Sequence, residues 1–396
     1  MKKLLSLDRK YAARQMLYFG SFCALMGYAS VYLLDHGFSN SIIGTVLALV
    51  SVIAVFTQPA VASFADKNKK VELRHIIAVI LIVAVLFSAW IYFLVGKSTL
   101  LLCLFVGIAT CMMTLQPLLN SLAFIFEKYG IEVNYGLARG LGSAAYAIVS
   151  FVVGYLVEDF GTGLLPLIYL VLNVLLIVVV YTYVVPKSER KEIVEEAHHK
   201  EEVQQLSFIE FCKKYKKFMI FVLGIVAVFF THTIINNFFI QVIKPIGGSE
   251  SQMGTAVFLA AIVELPAMAL FNKMREKVSC ATLIKISVIL FAVKHGVTYL
   301  ATNVTMIYIA QVLQIGAYAI IIPASVYYVN QIIAKSDAIK GQSMVTTAIT
   351  ASGIIANIAG GVLLDAIGVK KVLFIGILVS IIGAVIVMMS VENKEV

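Results

Sequence analysis

Twelve apolar segments, each about as long as one crossing of a lipid bilayer, follow one another along almost the whole chain. An α-helix rises 1.5 Å per residue, so about 20 residues cross a hydrocarbon core of roughly 30 Å. The sequence therefore predicts an all-α membrane protein with twelve transmembrane helices. The predicted spans are residues 14–34, 42–62, 75–95, 99–125, 137–157, 163–185, 218–240, 252–271, 280–301, 304–333, 343–364 and 370–390.

The composition excludes a soluble globular protein of this length. Of the 396 residues, 61% are hydrophobic and 13% are charged, and the mean hydropathy is +0.96. So few polar side chains cannot cover a water-soluble fold, and a membrane supplies the missing apolar solvent. The net charge of +9 could suit nucleic acid, but the charges cluster between the apolar segments. We therefore expect a lipid bilayer, and no nucleic acid, as a partner.

The cysteines and the short motifs argue against a metalloprotein or a membrane enzyme. The five cysteines form no C-x-x-C pair and show no metal-ligand spacing, and four of them lie in apolar segments. We interpret them as small hydrophobic residues and expect no metal and no cofactor. A histidine box, a nucleophile motif and a phosphate-binding loop are also missing from the sequence, so we do not expect an enzyme.

Lys and Arg are distributed asymmetrically between the loops. Most of them lie before the first predicted span, in every second loop after it, and at the end of the chain. The positive-inside rule therefore predicts that both termini are cytoplasmic. The basic residues outside this pattern are Lys97, Lys244, Lys370 and Lys371 in the other loops, and Arg139, Lys285 and Lys294 within spans.

One long polar stretch divides the chain. It covers residues 187–217 and separates an N-terminal half, 1–186, from a C-terminal half, 218–396, each with six predicted helices. The end of this linker carries four lysines and four larger side chains at a helix-like spacing, Leu206, Phe208, Phe211 and Tyr215. This pattern suits either an interfacial helix on the inner leaflet or a solvated charged tether.

The two halves repeat short sequence patterns in the same order. The stretch GFSNSIIGT at 37–45 is matched by GGSESQMGT at 247–255, and QPAVASF from Gln58 is matched by LPAMALF from Leu265. A third match pairs Gly154, Glu158 and Gly161 with Gly361, Asp365 and Gly368. Six crossings return the chain to the side where it began, so the repeats are expected to be parallel, about an axis along the membrane normal.

The loop after the second predicted span reads ASFADKNKK and resembles the signature loop of the major facilitator superfamily, G-x-x-x-D-[RK]-x-G-[RK]-[RK]. The matching charged positions are Asp66, Lys67, Lys69 and Lys70. Ala62 and Asn68 replace the two glycines, although Asn tolerates the left-handed backbone of a tight turn. The resemblance implies the major facilitator fold and a cytoplasmic gating loop. Alternatively, the lysines only set the topology.

Two longer stretches are similar to the lactose permease group of proton symporters and its phenylpropionate-transporter-like relatives. FTQPAVASFADK resembles the second helix of that group, and YGLARGLGSAAYAIVSFVVG resembles its fifth helix, which implies that Arg139 binds substrate. The phenylpropionate-like branch is matched in part by Glu264-Leu265-Pro266, by Lys294-His295, and by Gln311 and Gln314. The sugar-binding Glu of the permease has no counterpart near Asn120, which argues against lactose itself.

Ionisable side chains inside the predicted spans are the strongest candidates for function, because each costs about 2.5–3.5 kcal/mol at the bilayer centre. Glu264 is the acid deepest in a span, and we predict that it binds a proton or the solute. The alternative is a structural hydrogen bond beside Pro266, where the helix loses an amide donor. Lys294 and His295 lie in the next span, roughly 10 Å away in depth, so direct pairing of Lys294 with Glu264 is not predicted. Arg139 either binds solute or extends to the cytoplasmic surface.

Uncharged polar residues could complete the wall of a binding cavity. His232 and Asn236 are four residues apart and share a helix face. The other candidates are Gln116, Asn120, Gln311 and Gln314, for which hydrogen bonding between helices is an equal alternative.

Together these features predict a secondary active transporter, with proton symport of a small organic solute, either a sugar or an aromatic or organic carboxylate, by alternating access. Protons, the solute and the bilayer are the expected partners of a monomer in the plasma membrane. Two alternatives stay open, proton-antiport efflux of drugs or metabolites and a membrane receptor that does not transport.

Overall fold

A computed structural model describes residues 2–68, 71–94, 96–127, 135–182 and 207–392, and these ranges contain helices and no β-strand. The α-helices are α1 Lys2–Phe22, α2 Ala29–Asp35, α3 Asn40–Lys67, α4 Leu73–Tyr92, α5 Thr99–Glu127, α6 Tyr135–Phe160, α7 Leu164–Thr182, α8 Phe208–Lys214, α9 Lys216–Asn237, α10 Phe239–Ile243, α11 Glu250–Arg275, α12 Cys280–Leu300, α13 Val304–Val312, α14 Tyr318–Ile332, α15 Ala338–Ile367 and α16 Val369–Ser390. Short 3₁₀ segments cover Lys244–Ile246, Leu313–Ile315 and Lys335–Asp337.

The predicted number of membrane spans is confirmed. By length and hydropathy, eleven helices of the described ranges can cross a bilayer. A twelfth span results when α1 and α2 are counted as one, bent by 41° around the π-helical segment Cys23–Gly27. The tenth predicted span is built from α13 and α14, joined through the 3₁₀ segment Leu313–Ile315.

The helices form two compact units, Met1–Ala197 and His198–Val396. In the N-terminal unit, α1 packs on α6 and α7, α3 packs on α5, and α4 packs on α5 and α7. In the C-terminal unit, α9 packs on α15 and α16, α11 packs on α13 and α14, and α12 packs on α14 and α16. The second set of contacts repeats the first in chain order. Of the predicted linker, residues 187–206 lie outside the described residues.

The first sequence repeat has the same local structure in both units. Gly37 and Gly247 each have a φ of +82°, a left-handed conformation that favours glycine. Two residues later, the hydroxyls of Ser39 and Ser249 accept hydrogen bonds from backbone N–H groups in the first turns of α3 and α11. These are helix N-caps, so the repeated G-x-S pattern starts a membrane helix in each half.

The repeat that ends in Gly161 and Gly368 terminates helices in the same way. Both glycines follow the last residue of a long helix, α6 or α15, and both have positive φ angles, +85° and +77°. Their backbone N–H groups donate to the carbonyls of Val157 and Leu364, four residues earlier. Each glycine therefore caps the end of its helix.

The end of the linker forms α8, and its described larger residues differ in burial, whereas Leu206 lies outside the described residues. Phe211 is fully buried in the core of the C-terminal unit, whereas Phe208 is 59% exposed. The hydroxyl of Tyr215 donates to Oδ2 of Asp337 at 2.9 Å, and Lys214 Nζ donates to the same oxygen at 3.1 Å. The helix is thus held to the segment between α14 and α15, as neither sequence interpretation predicted.

Candidate functional site

A break in the tenth span brings polar side chains from three membrane helices together in the C-terminal unit. Gln314 lies in the 3₁₀ segment Leu313–Ile315, which packs against both α11 and α12. Gly316 follows it, and a Cβ there would lie 2.2 Å from Cδ1 of Leu290 on α12. The missing side chain therefore lets the break lie close to α12, beside Lys294.

A chain of hydrogen bonds joins Lys294, Gln314 and Glu264. The buried Lys294 donates through Nζ to Oε1 of Gln314, and Nε2 of Gln314 donates to Oε1 of Glu264 at 2.9 Å. An ammonium only donates and an ionised carboxylate only accepts, so a single orientation of the amide satisfies both ends. The acid and the base are therefore coupled through one amide, across the depth difference that argued against direct pairing.

Two buried histidines lie beside this chain. Nδ1 of His295 is 2.9 Å from the hydroxyl oxygen of Ser380 on α16. Nδ2 of Asn236 is 2.9 Å from Nε2 of His232, so the predicted pair on one face of α9 is in hydrogen-bond contact. The two imidazole centroids are 6.3 Å apart.

Aromatic side chains enclose His232. The ring of Tyr318 stacks on it at 5.4 Å with an angle of 26° between the planes, and Phe229 and Phe291 approach edge-on at 5.8 and 5.2 Å. Gln311 is buried on α13, one turn before Gln314. In the C-terminal unit, the contacts thus link Glu264, Gln314 and Lys294 in one group, and His232, Asn236 and His295 in a second.

In the N-terminal unit, Arg139 is held against α1. Its guanidinium lies 4.1 Å from the ring centroid of Phe19, and its Nη1 donates to the hydroxyl of Ser143 at 2.9 Å. Gly142, one turn further along α6, makes room for this ring, because a Cβ there would lie 2.6 Å from Cδ2 of Phe19. The half-buried guanidinium therefore rests on an aromatic platform supplied by another helix.

Asn120 belongs to a polar cluster that sequence reasoning missed in part. Nε2 of Gln15 on α1 donates to Oδ1 of Asn120 at 3.1 Å and to the hydroxyl of Tyr11 at 3.0 Å. Arg14 is fully buried, with its guanidinium 3.9 Å from the ring centroid of Tyr11. The basic residues before the first span were interpreted as topology signals, although Arg14 is the first residue of that span. Gln116 lies one turn before Asn120 on α5 and is half-buried.

The predicted gating loop begins at the end of α3, where Asp66 and Lys67 are exposed. Asn68 caps this helix with a φ of −101°, and its side-chain amide donates to the carbonyl of Phe64 at 2.9 Å. The backbone at Asn68 is therefore not left-handed, and its side chain contacts the end of the helix directly. Lys69 and Lys70 lie outside the described residues.

The described part of the site contains linked charged groups and no cluster of metal ligands. Within the described ranges, no group of three or more His, Cys, Asp or Glu side chains could hold a metal ion. A buried ammonium linked to a partly exposed carboxyl group can instead respond to a proton or to an anionic solute by a change of charge.

Comparison with known proteins agrees with this description. The model of the MFS_1 like family matches residues 9–389. The uncharacterized transporter YwbF of Bacillus subtilis (strain 168) is 23% identical over 99% of this chain and 96% of its own length. The maltose permease of Geobacillus stearothermophilus is 22% identical over 96% and 93%. The crystal structure of the nucleoside transporter NupG superposes with a TM-score of 0.79 at 15% identity, over 98% of this chain and 100% of that one.

Proposed function

Because the chain belongs to the MFS_1 like family and is a multi-pass membrane transporter of the major facilitator type, we propose that it carries out proton symport of a small organic solute. The observation that carries the proposal is the buried chain of hydrogen bonds from Lys294 through Gln314 to Glu264. We further propose that residues 1–186 and 218–396 are the two moving halves, joined by the linker 187–217.

The coupling follows from charge balance at bilayer depth. When Glu264 is ionised, its negative charge compensates the ammonium of Lys294 through the shared amide. When Glu264 takes up a proton, that compensation is lost, and a buried cation without a counter-charge is costly. An anionic or strongly polar group of the solute then replaces the lost charge. Solute and proton therefore bind cooperatively, which is the thermodynamic condition for symport.

The N-terminal half is proposed to supply the second set of solute contacts. Arg139 presents a forked donor that suits carboxylates or paired hydroxyls, and it is positioned by Phe19 and Ser143. Gln116 and Asn120 would line the same half of the pathway. The loop that contains Asp66, Lys67, Lys69 and Lys70 is proposed to stabilise one of the two alternating states on the cytoplasmic side.

The substrate class is proposed to be a sugar or an organic carboxylate, and nucleosides are included in the test because of the fold shared with a nucleoside transporter. A thermal-unfolding screen of the detergent-purified protein with maltose, uridine, benzoate and gluconate identifies the ligand, since a specific ligand stabilises the folded state according to its affinity.

We also propose that the protein is a monomer in the plasma membrane and that both of its termini are cytoplasmic.

Proton movement tests the coupling directly. Proteoliposomes with an inward proton gradient receive the ligand from the screen, and the external pH is recorded. We expect alkalinisation with the wild type and its loss in Glu264→Gln. Glu250→Gln is the matched control, because Glu250 is on the same helix but pairs with Lys244 at the start of α11. Undiminished proton uptake by Glu264→Gln would remove the coupling assignment, and acidification by the wild type would show antiport.

A further inference from the structure

Two imidazole nitrogens in the C-terminal unit are buried and have no hydrogen-bond partner among the described residues. They are Nδ1 of His232 and Nε2 of His295, whose side chains are 5% and 0% exposed. Buried polar atoms in native proteins are nearly always paired, because an unpaired one loses its hydrogen bonds to water without replacement. Each of these nitrogens therefore needs a partner that the described part of the chain does not supply.

The contacts of the opposite ring nitrogens bear on whether the two unpaired atoms are donors. The amide N–H of Asn236 occupies the lone pair of Nε2 in His232, so the neutral ring carries its proton on Nδ1. The Ser380 hydroxyl can act as donor or acceptor toward Nδ1 of His295, and with Ser380 as the donor the ring proton is on Nε2. Both rings are thus held by neighbouring side chains and each offers one N–H group.

The two rings are close enough to share one acceptor group. Their centroids are 6.3 Å apart, with 31° between the planes. Rings at this centroid distance can both donate to the oxygens of one carboxylate when their N–H groups face the same space. Phe291 contacts both rings, with centroid distances of 5.2 Å to His232 and 5.7 Å to His295.

The positive charge of Lys294 favours an anionic partner for the two histidines. Lys294 precedes His295 in the sequence, is fully buried, and carries an ammonium group into the same region. A metal ion would be repelled by this ammonium, whereas a carboxylate is attracted by it and accepts hydrogen bonds from both imidazoles. The aromatic rings of Phe229, Phe291 and Tyr318 supply apolar surface for the organic part of such a molecule.

We infer that His232 and His295 form the subsite that binds the carboxylate of the transported solute. The inference rests on the proposed function, in that the solute must reach the C-terminal unit, and it narrows the substrate class to organic carboxylates. Glu264 retains its separate role as the proton-binding group, through Gln314 and Lys294.

Thermal unfolding with matched probe pairs tests the inference. The purified protein is titrated with benzoate, gluconate and orotate, each beside an uncharged counterpart, namely benzamide, glucose and uracil. At least one carboxylate should bind tenfold or more tightly than its counterpart. If no carboxylate stabilises the protein, or if every counterpart binds equally well, the inference is overturned.

Four substitutions test the two nitrogens of each ring separately. The side-chain amide of Asn lies near the position of Nδ1 in His, and that of Gln lies near Nε2. His232→Gln and His295→Asn therefore remove the unpaired donor, and we expect at least tenfold weaker carboxylate binding. His232→Asn and His295→Gln keep a donor at that position and should retain most of it. If carboxylate binding weakens equally in both sets of variants, or in neither set, the result contradicts the carboxylate subsite.

Thermal unfolding of the four variants without ligand shows whether each is folded. If one variant is unstable, the two variants of the other histidine still allow the comparison. The proton assay separates this inference from the proposed function. Coupled transport that depends on Glu264 but shows unchanged carboxylate preference in His232→Gln and His295→Asn would overturn only the subsite. Carboxylate binding that depends on the histidines, without proton movement, would overturn only the coupling.

Discussion

Nε2 of Gln314 lies 2.9 Å from Oε1 of Glu264, across the contact between α11 and the 3₁₀ segment that interrupts the tenth span. The carbonyl end of the same amide accepts a hydrogen bond from Lys294. The amide thus joins the acid by hydrogen bonds to a fully buried ammonium on a third helix. We make four predictions from contacts within the C-terminal and N-terminal units.

Replacing Lys294 with Met should destabilise the protein by about 3 kcal/mol, because it removes the counter-charge of Glu264 inside the membrane. Addition of Glu264→Gln to this variant should recover part of the loss, because it removes the remaining charge. Thermal unfolding in detergent measures both effects. Lys285→Met, on the same helix but only partly buried, should change the free energy of unfolding by under about 1 kcal/mol. Equal effects at the two lysines would contradict the proposed coupling.

Gly142→Ala should destabilise the N-terminal unit by about 1–2 kcal/mol and weaken solute binding at Arg139. The added Cβ would lie 2.6 Å from Cδ2 of Phe19, so the aromatic platform under the guanidinium must move. Gly140→Ala is the control on the same helix, because a Cβ there meets no atom within 4 Å. It should be neutral or stabilise by up to about 1 kcal/mol. A neutral Gly142→Ala would show that Phe19 is not tightly held.

The attachment of α8 should weaken at high pH. The hydroxyl of Tyr215, and then the carboxylate of Asp337, raise the pKa of Lys214 above its ordinary value of 10.5. Since the folded pKa is the higher one, the stabilising effect is complete below pH 10.5 and is lost as the pH rises through the folded pKa. Hydrogen exchange of the α8 amides, recorded as the pH is raised past 10.5, measures how firmly the helix is attached.

In Lys214→Met we expect faster exchange in α8 at neutral pH and no further change of stability above pH 10.5 from this group. Lys213→Met is the matched control, since Lys213 is the preceding residue and is exposed. If both variants exchange alike, the contact with Asp337 does not hold the helix.

The helix ends of the two repeats should respond alike to one substitution. Gly161→Ala and Gly368→Ala should each cost about 1–2 kcal/mol, because both positions have positive φ angles that a Cβ disfavours. Gly163→Ala, in the same turn as Gly161 but without a positive φ, should stay within about 0.5 kcal/mol. Thermal unfolding measures the stability of the three variants. If Gly368→Ala does not lower the stability, the two glycines do not share a capping role.

The sequence by itself determined the features that depend on short stretches of chain. Span length is set by bilayer thickness, so the twelve helices could be counted from apolar segments alone. The repeated G-x-S pattern acts within one helical turn, and for this reason the caps at Ser39 and Ser249 match. Asn tolerates a left-handed backbone, but Asn68 does not adopt one, and sequence alone does not show that its side chain binds the carbonyl of Phe64.

Only the tertiary structure decided which polar residues meet. The sequence placed Glu264 and Lys294 at different depths, and the connection depends on Gln314 at a break whose position the apolar pattern of the tenth span does not mark. Arg14 was counted with the basic residues that set the topology, although α1 buries it beside Tyr11. Side-chain contacts between helices depend on rotation, bending and close approach at residues such as Gly316, which arise from packing among helices far apart in the sequence.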